Sequence, residues 1–449
     1  MKDLTKGSPM RLIIMFALPI LLGSVFQQAY SFTDTIIIGQ QLGKNSIAAV
    51  GSTASVVSLM FSTVNGLVTG FSVIIAKNFG AGDHSEMRRA IARTMLFSGI
   101  ITALIIIGIT VFIEPLLHAL DTPEAIFSEA KDYLFIVAVG LIVTLIYNLE
   151  SGILRSVGDS VIPLVILIIS AVLNIVLDLL FVCVFHWGVQ GAAIATVLAQ
   201  LVSAVVCFVY LIKRRPFLIV KAQDFSFSGY EAAEMLSSGF GMALMYSIVD
   251  IGSIVLQNGI NGMGEDIIAA HTAARKILGL LLMPFSAVGA TLVTFCSQNR
   301  GAGKYSRIKL GIRDGLFLSF GWSTLAIILV YLIGFFFVQL ILPDTDELIT
   351  STALNYLKVN VPFFYPLAVL LGVRSSLQGL GHSIVPIIAS FIELGWKICT
   401  VIFMIPLFGY FGVILSEPII WTVCGIMIGL VAVFTLRAMP KDDFESPVS

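Results

Sequence analysis

The segment Asn78-Phe79-Gly80-Ala81-Gly82 returns 221 residues later as Asn299-Arg300-Gly301-Ala302-Gly303. It closes a longer match, in which residues 43–83 align with residues 264–304 without a gap. Further matches downstream keep an offset of 221 to 223 residues. A constant offset across most of a chain indicates that one structural unit has been duplicated.

The composition predicts a membrane protein. Of the 449 residues, 57% are hydrophobic and 12% are charged, and the mean hydropathy is +0.99. So few charges could not cover so much apolar surface in water, which excludes a soluble globular protein and a disordered chain. Turn residues divide the chain into about twelve apolar segments long enough to span a bilayer. We place these segments near residues 11–40, 46–77, 94–114, 132–154, 161–184, 190–212, 232–260, 265–298, 312–338, 350–376, 384–406 and 410–436.

The duplication and the segment count together predict an all-α polytopic membrane protein with two six-helix bundles. Because six is an even number, both copies enter the membrane in the same direction, so the repeat is parallel with a pseudo-twofold axis along the membrane normal. We predict an N-terminal lobe at residues 1–214, a cytoplasmic linker at 215–229 and a C-terminal lobe at 230–449.

The basic residues are distributed unevenly and predict the orientation. Most of the 26 Lys and Arg lie in the termini or in loops after even-numbered segments, whereas the other loops are acidic, as at Glu265 and Asp266. Cytoplasmic loops are enriched in Lys and Arg, so we expect a multi-pass protein of the cell (inner) membrane with both termini in the cytoplasm. We expect a monomer whose partners are the lipid bilayer and a small organic substrate, with no nucleic acid.

The sequence contains no motif of an enzyme or of a metal site. Its five cysteines lie in apolar segments without CxxC spacing, which is typical of small buried side chains rather than of a disulfide or metal framework. There is no HExxH motif and no nucleophile elbow, and the five histidines are scattered. We therefore expect no enzymatic activity and no cofactor.

Acidic side chains inside apolar segments indicate the functional layer. Counting about 1.5 Å per residue from the outer turns places Asp34, Asp178 and Thr196 at one level on three helices, with Asn174 one turn from Asp178. Their carboxylate, amide and hydroxyl oxygens suit H⁺ or Na⁺ rather than a soft metal. We predict the ion-coupling site at these four residues, and no metal other than Na⁺ at Asp34 and Asp178.

An alternative is that these polar groups only join helices through hydrogen bonds. We favour it less for the aspartates, because the first lobe has no Lys or Arg at comparable depth and an unpaired carboxylate there tends to bind a proton or cation. The role of Glu150 stays open, since Arg155 lies five residues later, near the inner end of the same segment. An ion pair and a role in transport are both consistent with that spacing.

The second lobe carries charges of both signs, which predicts structural pairing or contact with substrate. Glu393 and Lys397 have the i, i+4 spacing that lets them neutralise one another. The residues of this polar cluster are Asp250, His271, Arg275, Glu393, Lys397 and Glu417.

Polar, aromatic and methionine side chains predict an adaptable substrate cleft. Gln27 and Tyr30 share one helical face with Asp34, and the other candidates are Met60, Met245, Tyr246 and Trp396, each of which could instead belong to the core or face lipid. Pro19 removes a backbone hydrogen bond inside the first helix, so we predict a hinge that moves Asp34.

These features resemble the multidrug and toxic compound extrusion (MATE) family over nearly the whole chain, including a Gly-Asp-Ser-x-x-Pro run at Gly158 to Pro163. The resemblance is to the prokaryotic branch with a cation site in the N-terminal lobe. The residues of that branch's site are matched here by Asp34, Asn174, Asp178 and Thr196, and its first-helix proline and glutamine by Pro19 and Gln27. The resemblance implies export of amphipathic, often cationic compounds through a V-shaped cleft. The second lobe differs from one that accepts only cations, because it carries the basic residues Arg275, Lys276 and Lys397.

We expect a secondary active antiporter that exports amphipathic organic compounds in exchange for H⁺ or Na⁺ by alternating access. The alternative within the same superfamily is a flippase for a lipid-linked saccharide or lipid, which the basic residues of the second lobe suggest. A membrane-embedded enzyme or a channel is a third possibility from another class.

Overall fold

The computed structural model describes residues 3–225, 229–342 and 347–440, and within these ranges all regular structure is helical. Residues 226–228 of the predicted linker, and the extreme ends of both predicted lobes, lie outside the described residues. The helices are α1 (Pro9–Leu42), α2 (Lys44–Gly80), α3 (His84–Val111), α4 (Ile113–Ala119), α5 (Glu124–Ser156), α6 (Val161–Asp178), α7 (Gly188–Arg214), α8 (Gly229–Asn261), α9 (Glu265–Gly301), α10 (Tyr305–Ile341), α11 (Glu347–Asn360), α12 (Phe364–Gly379), α13 (Ile384–Cys399), α14 (Ile405–Phe408) and α15 (Tyr410–Ala438).

The described part of the chain has 12 helical stretches long and apolar enough to cross a membrane. The predicted all-α polytopic fold is therefore confirmed. Three spans are composite, because Val161–Val184 joins α6 to a π-helical turn, Glu347–Gly379 joins α11 to α12, and Ile384–Phe408 joins α13 to α14. The short helix α4 is an additional element between two spans.

The duplication is visible in the backbone. A π-helical turn lies within the fifth span of each half, at Leu179–Val184 and at Thr400–Met404. The turns between spans contain glycines with positive φ, a conformation that glycine adopts without a steric penalty because it has no Cβ. Four such glycine pairs are related by the repeat: Gly43 with Gly264, Gly82 with Gly303, Gly158 with Gly381, and Gly188 with Gly409.

The chain forms two compact units. Unit 1 contains Leu22–Tyr246, and unit 2 contains Asp3–Leu21 together with the chain from Ser247 onward. Helix α1 therefore begins in unit 2 and ends in unit 1, whereas α8 begins in unit 1 and ends in unit 2. The lobe boundaries inferred from the repeat describe which segments are duplicated, and they stay a prediction.

In unit 1 the first part of α8 is fixed against α2 and α3. The buried Arg93 guanidinium bridges Glu86 and Glu231 at 2.7 and 2.6 Å. A Cβ on Gly70 would lie only 2.4 Å from the Ser238 carbonyl oxygen, and Ser238 Oγ donates to the Gly70 carbonyl at 2.8 Å. Only glycine allows this backbone approach.

In unit 2 the N-terminal segment is held by the turn between α9 and α10. Gln298 Oε1 accepts a hydrogen bond from Leu4 N–H at 3.1 Å, and Asn299 Nδ2 donates to the Leu4 carbonyl at 3.2 Å. Arg307 donates to the carbonyls of Gly7 and Leu4 at 2.7 and 3.1 Å. The start of α1 is thereby anchored within unit 2.

The cysteines differ in burial. Cys207, Cys296 and Cys424 are buried as predicted, whereas Cys183 is half-buried and Cys399 is exposed. The prediction was wrong for Cys399, because an apolar segment of a membrane protein also has a face that contacts lipid instead of protein.

Candidate functional site

The carboxylates of Asp34 on α1 and Asp178 at the end of α6 lie within hydrogen-bonding reach of each other. Asp178 is fully buried. Among the described residues, none donates a hydrogen bond to either oxygen of Asp178 or to Oδ1 of Asp34. Two ionised carboxylates in such surroundings repel each other and are poorly solvated, so the pair favours a shared proton or a bound cation.

Asn174 and Thr196 lie next to this pair. Asn174 Nδ2 donates to Thr196 Oγ1 at 3.4 Å, and Thr196 Oγ1 donates to the Ala192 carbonyl at 3.1 Å. Asn174 Oδ1 is buried without a donor among the described residues, and it lies on the same face of α6 as Asp178. Buried oxygens without donors are what a small hard cation requires as ligands.

Local helix geometry positions Asp178. It is the last residue of α6 and is followed at once by the π-helical turn Leu179–Val184. Such turns are inserted into α-helices frequently at functional sites. The repeat places Cys399 at the corresponding position before the second π-helical turn, so only the first copy has an acid there.

Two tyrosines complete the surroundings of the acids, and one of them is absent from the predicted site. Tyr30 lies near Gln27 and Asp34. Tyr133 of α5 lies near both Asp34 and Asp178. Tyr133 is nine residues after the start of α5, the same count that separates Asp34 from Gly43. The depth count used for the aspartates therefore gives its level in the membrane, but not the face of α5 on which it lies.

Unit 1 encloses a polar cavity of about 270 Å³. The predicted residues Gln27, Tyr30, Asn174 and Thr196 all line it, so the polar groups beside the acids are also part of the cavity wall. The other lining residues are Phe61, Asn65, Thr144, Tyr147, Asn148, Arg155, Leu167, Ser170, Ala171, Ala199 and Gln200.

Four residues predicted to line a cleft lie elsewhere. Met60 and Met245 are buried in unit 1, and Tyr246 is exposed at the end of that unit's part of α8. Trp396 belongs to unit 2, where its indole N–H donates to the Ser416 carbonyl at 3.0 Å. None of the four is among the described residues that line the cavity, so their part in a substrate cleft stays a prediction.

Glu150 does not form the ion pair that its spacing from Arg155 allowed. The described residues contain no salt bridge between the two, and Glu150 Oε2 is buried without a hydrogen-bond donor. Instead Glu150 interacts with the Cys207 thiol, whereas Arg155 lies near Tyr147.

Four residues of the predicted polar cluster of unit 2 form two ion pairs. Arg275 Nη1 donates to Glu417 Oε1 at 2.6 Å, and Tyr356 lies beside both. Because the repeat aligns Tyr356 with Tyr133, each half places a tyrosine next to its main charged pair. The second pair is Lys397 Nζ with Glu393 Oε1, at 3.4 Å.

Other members of the predicted polar cluster also lie in unit 2. Lys397 Nζ is 3.4 Å from Ser253 Oγ, and His271 Nδ1 is 3.1 Å from the Tyr410 hydroxyl. Asp250 is half-buried on α8. These pairs of opposite charge contrast with the two facing acids, Asp34 and Asp178, of unit 1.

Comparison with known proteins identifies one family. The MatE family model matches residues 19–180 and 239–403. The "Probable multidrug resistance protein YpnP" of Bacillus subtilis is 28% identical over 381 residues, which cover 84% of this chain and 83% of that protein. The "FAD transporter" of Shewanella oneidensis is 26% identical over 431 residues, which cover 93% of this chain and 92% of that protein. Among solved structures, a MOP superfamily transporter from Pyrococcus furiosus has the same fold, with a TM-score of 0.90, 98% of both chains covered and 23% identity.

Proposed function

The chain belongs to the MATE family of membrane transporters, and from this premise we propose that it exports small amphipathic organic compounds in exchange for H⁺ or Na⁺. A transporter of this family carries out no enzymatic reaction. Relatives named as multidrug resistance proteins support export of drugs or metabolites, and the relative named as a FAD transporter supports a broader range of organic molecules. The same names favour export over the lipid flippase.

The observation that carries the proposal is the pair of facing carboxylates, Asp34 and Asp178. Both oxygens of Asp178 and Oδ1 of Asp34 lack donors among the described residues, so binding of a proton or Na⁺ would remove an electrostatic cost that ionised acids otherwise retain. Asn174 and Thr196 would orient the site and Tyr133 would supply a hydroxyl to it. The coupling ion is the only non-protein group that the mechanism requires.

Helix α1 would transmit ion binding to the rest of the protein. It carries Asp34 in unit 1, whereas its first part, up to Leu21, belongs to unit 2. Pro19 lies two residues before that boundary, where it removes a hydrogen bond from an otherwise continuous helix. A shift of Asp34 toward a bound ion would therefore bend α1 near Pro19 and change access to the cavity, which is alternating access.

The remaining assignments follow from the same proposal. Met60, Met245, Tyr246 and Trp396 would contact substrate in another state of the cycle, and the polar cluster of unit 2 would contribute paired charges to its path. The distribution of Lys and Arg supports cytoplasmic termini in the cell membrane. We propose that the protein functions as a monomer.

Flux measurements test this function. The full chain is reconstituted in liposomes with a potassium and valinomycin clamp, and ethidium movement is followed under an imposed pH gradient, an imposed Na⁺ gradient, or neither. We expect uphill movement driven by one gradient and abolished by the ionophore that dissipates it. Movement that is only downhill and indifferent to both gradients would refute antiport and indicate a passive pathway.

A further inference from the structure

Arg155 contributes a positive charge to the polar cavity of unit 1. It lies in the last turn of α5 and is one of the residues lining the cavity. Within the described ranges it has no acidic group within salt-bridge distance and no hydrogen-bond partner. The side chains that interact with its charge are those of Tyr147, Cys207 and Tyr246.

Three other basic side chains that are buried or half-buried are paired with acids. Arg93 binds Glu86 and Glu231, Arg215 Nη2 lies 3.2 Å from Asp159, and Lys397 lies 3.4 Å from Glu393. Burying a cation without a counter-ion is costly. A guanidinium that faces a cavity instead of an acid is available to an anion that enters the cavity.

The cavity wall around Arg155 supplies further donors. Among the described residues that line it, Arg155 alone carries a formal charge. Asn148 lies seven residues before Arg155 and so on the same face of α5, and Asn65 faces the same space from α2. Neither amide has a hydrogen-bond partner among the described residues. A guanidinium with two nearby amides suits an oxyanion, which accepts several N–H bonds at once.

The size of the cavity limits what it holds. Sites for complete drug-sized ligands occupy about 300–1,000 Å³, and this cavity has about 270 Å³. The cavity therefore lies near the lower end of that range and has room for a small organic anion or for the anionic end of a larger molecule.

We propose that Arg155 binds an oxyanion, a carboxylate or a phosphate, on the exported molecule. Exported compounds would then include amphipathic anions and zwitterions in addition to cations. The inference rests on the proposed export function and adds the charge of the substrate to it. Asp34 and Asp178 are absent from the residues lining the cavity, so a cation site and an anion site would coexist in one unit.

Binding measurements without any ion gradient test this site separately from coupling. The full chain in lipid nanodiscs is titrated with 1-naphthoate, 1-naphthyl phosphate, the uncharged 1-naphthamide and inorganic phosphate, with empty nanodiscs as the blank. The variants are Arg155→Gln, which removes the charge, Arg155→Lys, which keeps it, and Asn148→Asp, which places a carboxylate beside it.

We expect at least one naphthyl anion to bind the wild-type chain and to bind Arg155→Gln about tenfold or more weakly. Arg155→Lys should retain part of the affinity, Asn148→Asp should lose it, and 1-naphthamide should bind all four proteins alike. If Arg155→Gln does not fold, the binding of the naphthyl anions to Asn148→Asp tests the proposal in its place.

Three results would overturn the assignment. The first is that neither naphthyl anion binds the wild-type chain, and the second is that both anions bind wild type and the charge-altering variants equally. The third is that inorganic phosphate binds as tightly as the naphthyl anions. The last result would mean a site for free anions. Loss of coupled export in the liposome assay, with anion binding intact, would count against antiport alone.

Discussion

Asp34 on α1 and Asp178 at the end of α6 face each other within hydrogen-bonding reach, and no described residue donates to the Asp178 carboxylate. Such an arrangement is unfavourable for folding when both groups are ionised. We propose that the arrangement is kept because the acids bind a proton or cation, so stability and function should respond to mutation in opposite directions.

Asp178→Asn should stabilise the purified protein. The amide removes one charge and donates a hydrogen bond to Asp34, which we expect to raise the free energy of unfolding by about 1–3 kcal/mol in Na⁺-free buffer at alkaline pH. Thermal unfolding followed by size-exclusion chromatography measures the change. Glu114→Gln is the control, because Glu114 is exposed and its ion pair is with Lys131, away from the two acids. A Tm of Asp178→Asn below that of wild type would show that the facing acids are not a source of strain.

Tyr133→Phe should weaken ion coupling while leaving the fold intact. The ring keeps its packing, but the hydroxyl near Asp34 and Asp178 is lost, so we expect roughly a tenfold higher ion concentration for half-maximal export, or about 1.4 kcal/mol. Tyr331→Phe is the matched control, since its hydroxyl donates to the Lys358 carbonyl in unit 2 at 3.2 Å. An ion dependence of Tyr133→Phe equal to that of wild type would remove Tyr133 from the site.

Glu417→Gln should destabilise unit 2. Glu417 is buried and pairs with Arg275 at 2.6 Å, and its loss leaves the guanidinium without its counter-ion. Because Arg275 is partly exposed, we expect a cost of about 1–3 kcal/mol, below that of a fully buried pair. The double variant Arg275→Gln/Glu417→Gln should recover most of the loss in thermal unfolding. No recovery in the double variant would mean that Glu417 stabilises the fold through other contacts.

Arg307→Ala should release the N-terminal segment from unit 2. Arg307 donates to the carbonyls of Gly7 and Leu4, so we expect faster amide hydrogen exchange over residues 4–8 with the remainder of α10 unchanged. Mass spectrometry of exchanged peptides gives the readout. Arg313→Ala serves as the control, because Arg313 is exposed and, among the described residues, its ion pair is with its neighbour Asp314. Unchanged exchange at residues 4–8 would mean that the other hydrogen bonds suffice to hold the segment.

The fold could be predicted because the length of the apolar segments and the constant offset of the repeat can both be read from the sequence. Depth counting likewise identified Asp34, Asp178, Asn174 and Thr196, which the structure places together, although their role in coupling stays a prediction. The rotation of α5 about its axis could not be read in this way. It places Tyr133 near the acids and Arg155 in the cavity, whereas the sequence offered Arg155 only as a partner for Glu150.

The sequence also did not allow us to predict which segments belong to each compact unit. A repeat shows which segments are duplicated, whereas packing decides which segments form a unit. Buried hydrogen bonds assign the N-terminal segment to unit 2, and the Arg93–Glu231 ion pair assigns the start of α8 to unit 1. Neither contact follows a periodic pattern, and each joins residues more than 130 positions apart.

Uphill transport by Asp34→Asn tests the central claim most directly. Wild type, Asp34→Asn and the control Glu114→Gln are reconstituted side by side, and ethidium accumulation against its gradient is measured under the driving pH or Na⁺ gradient. The account predicts that Asp34→Asn still binds ethidium but accumulates none, whereas Glu114→Gln matches wild type. Uphill accumulation by Asp34→Asn at the wild-type rate would contradict it, because the coupling ion would then be bound elsewhere.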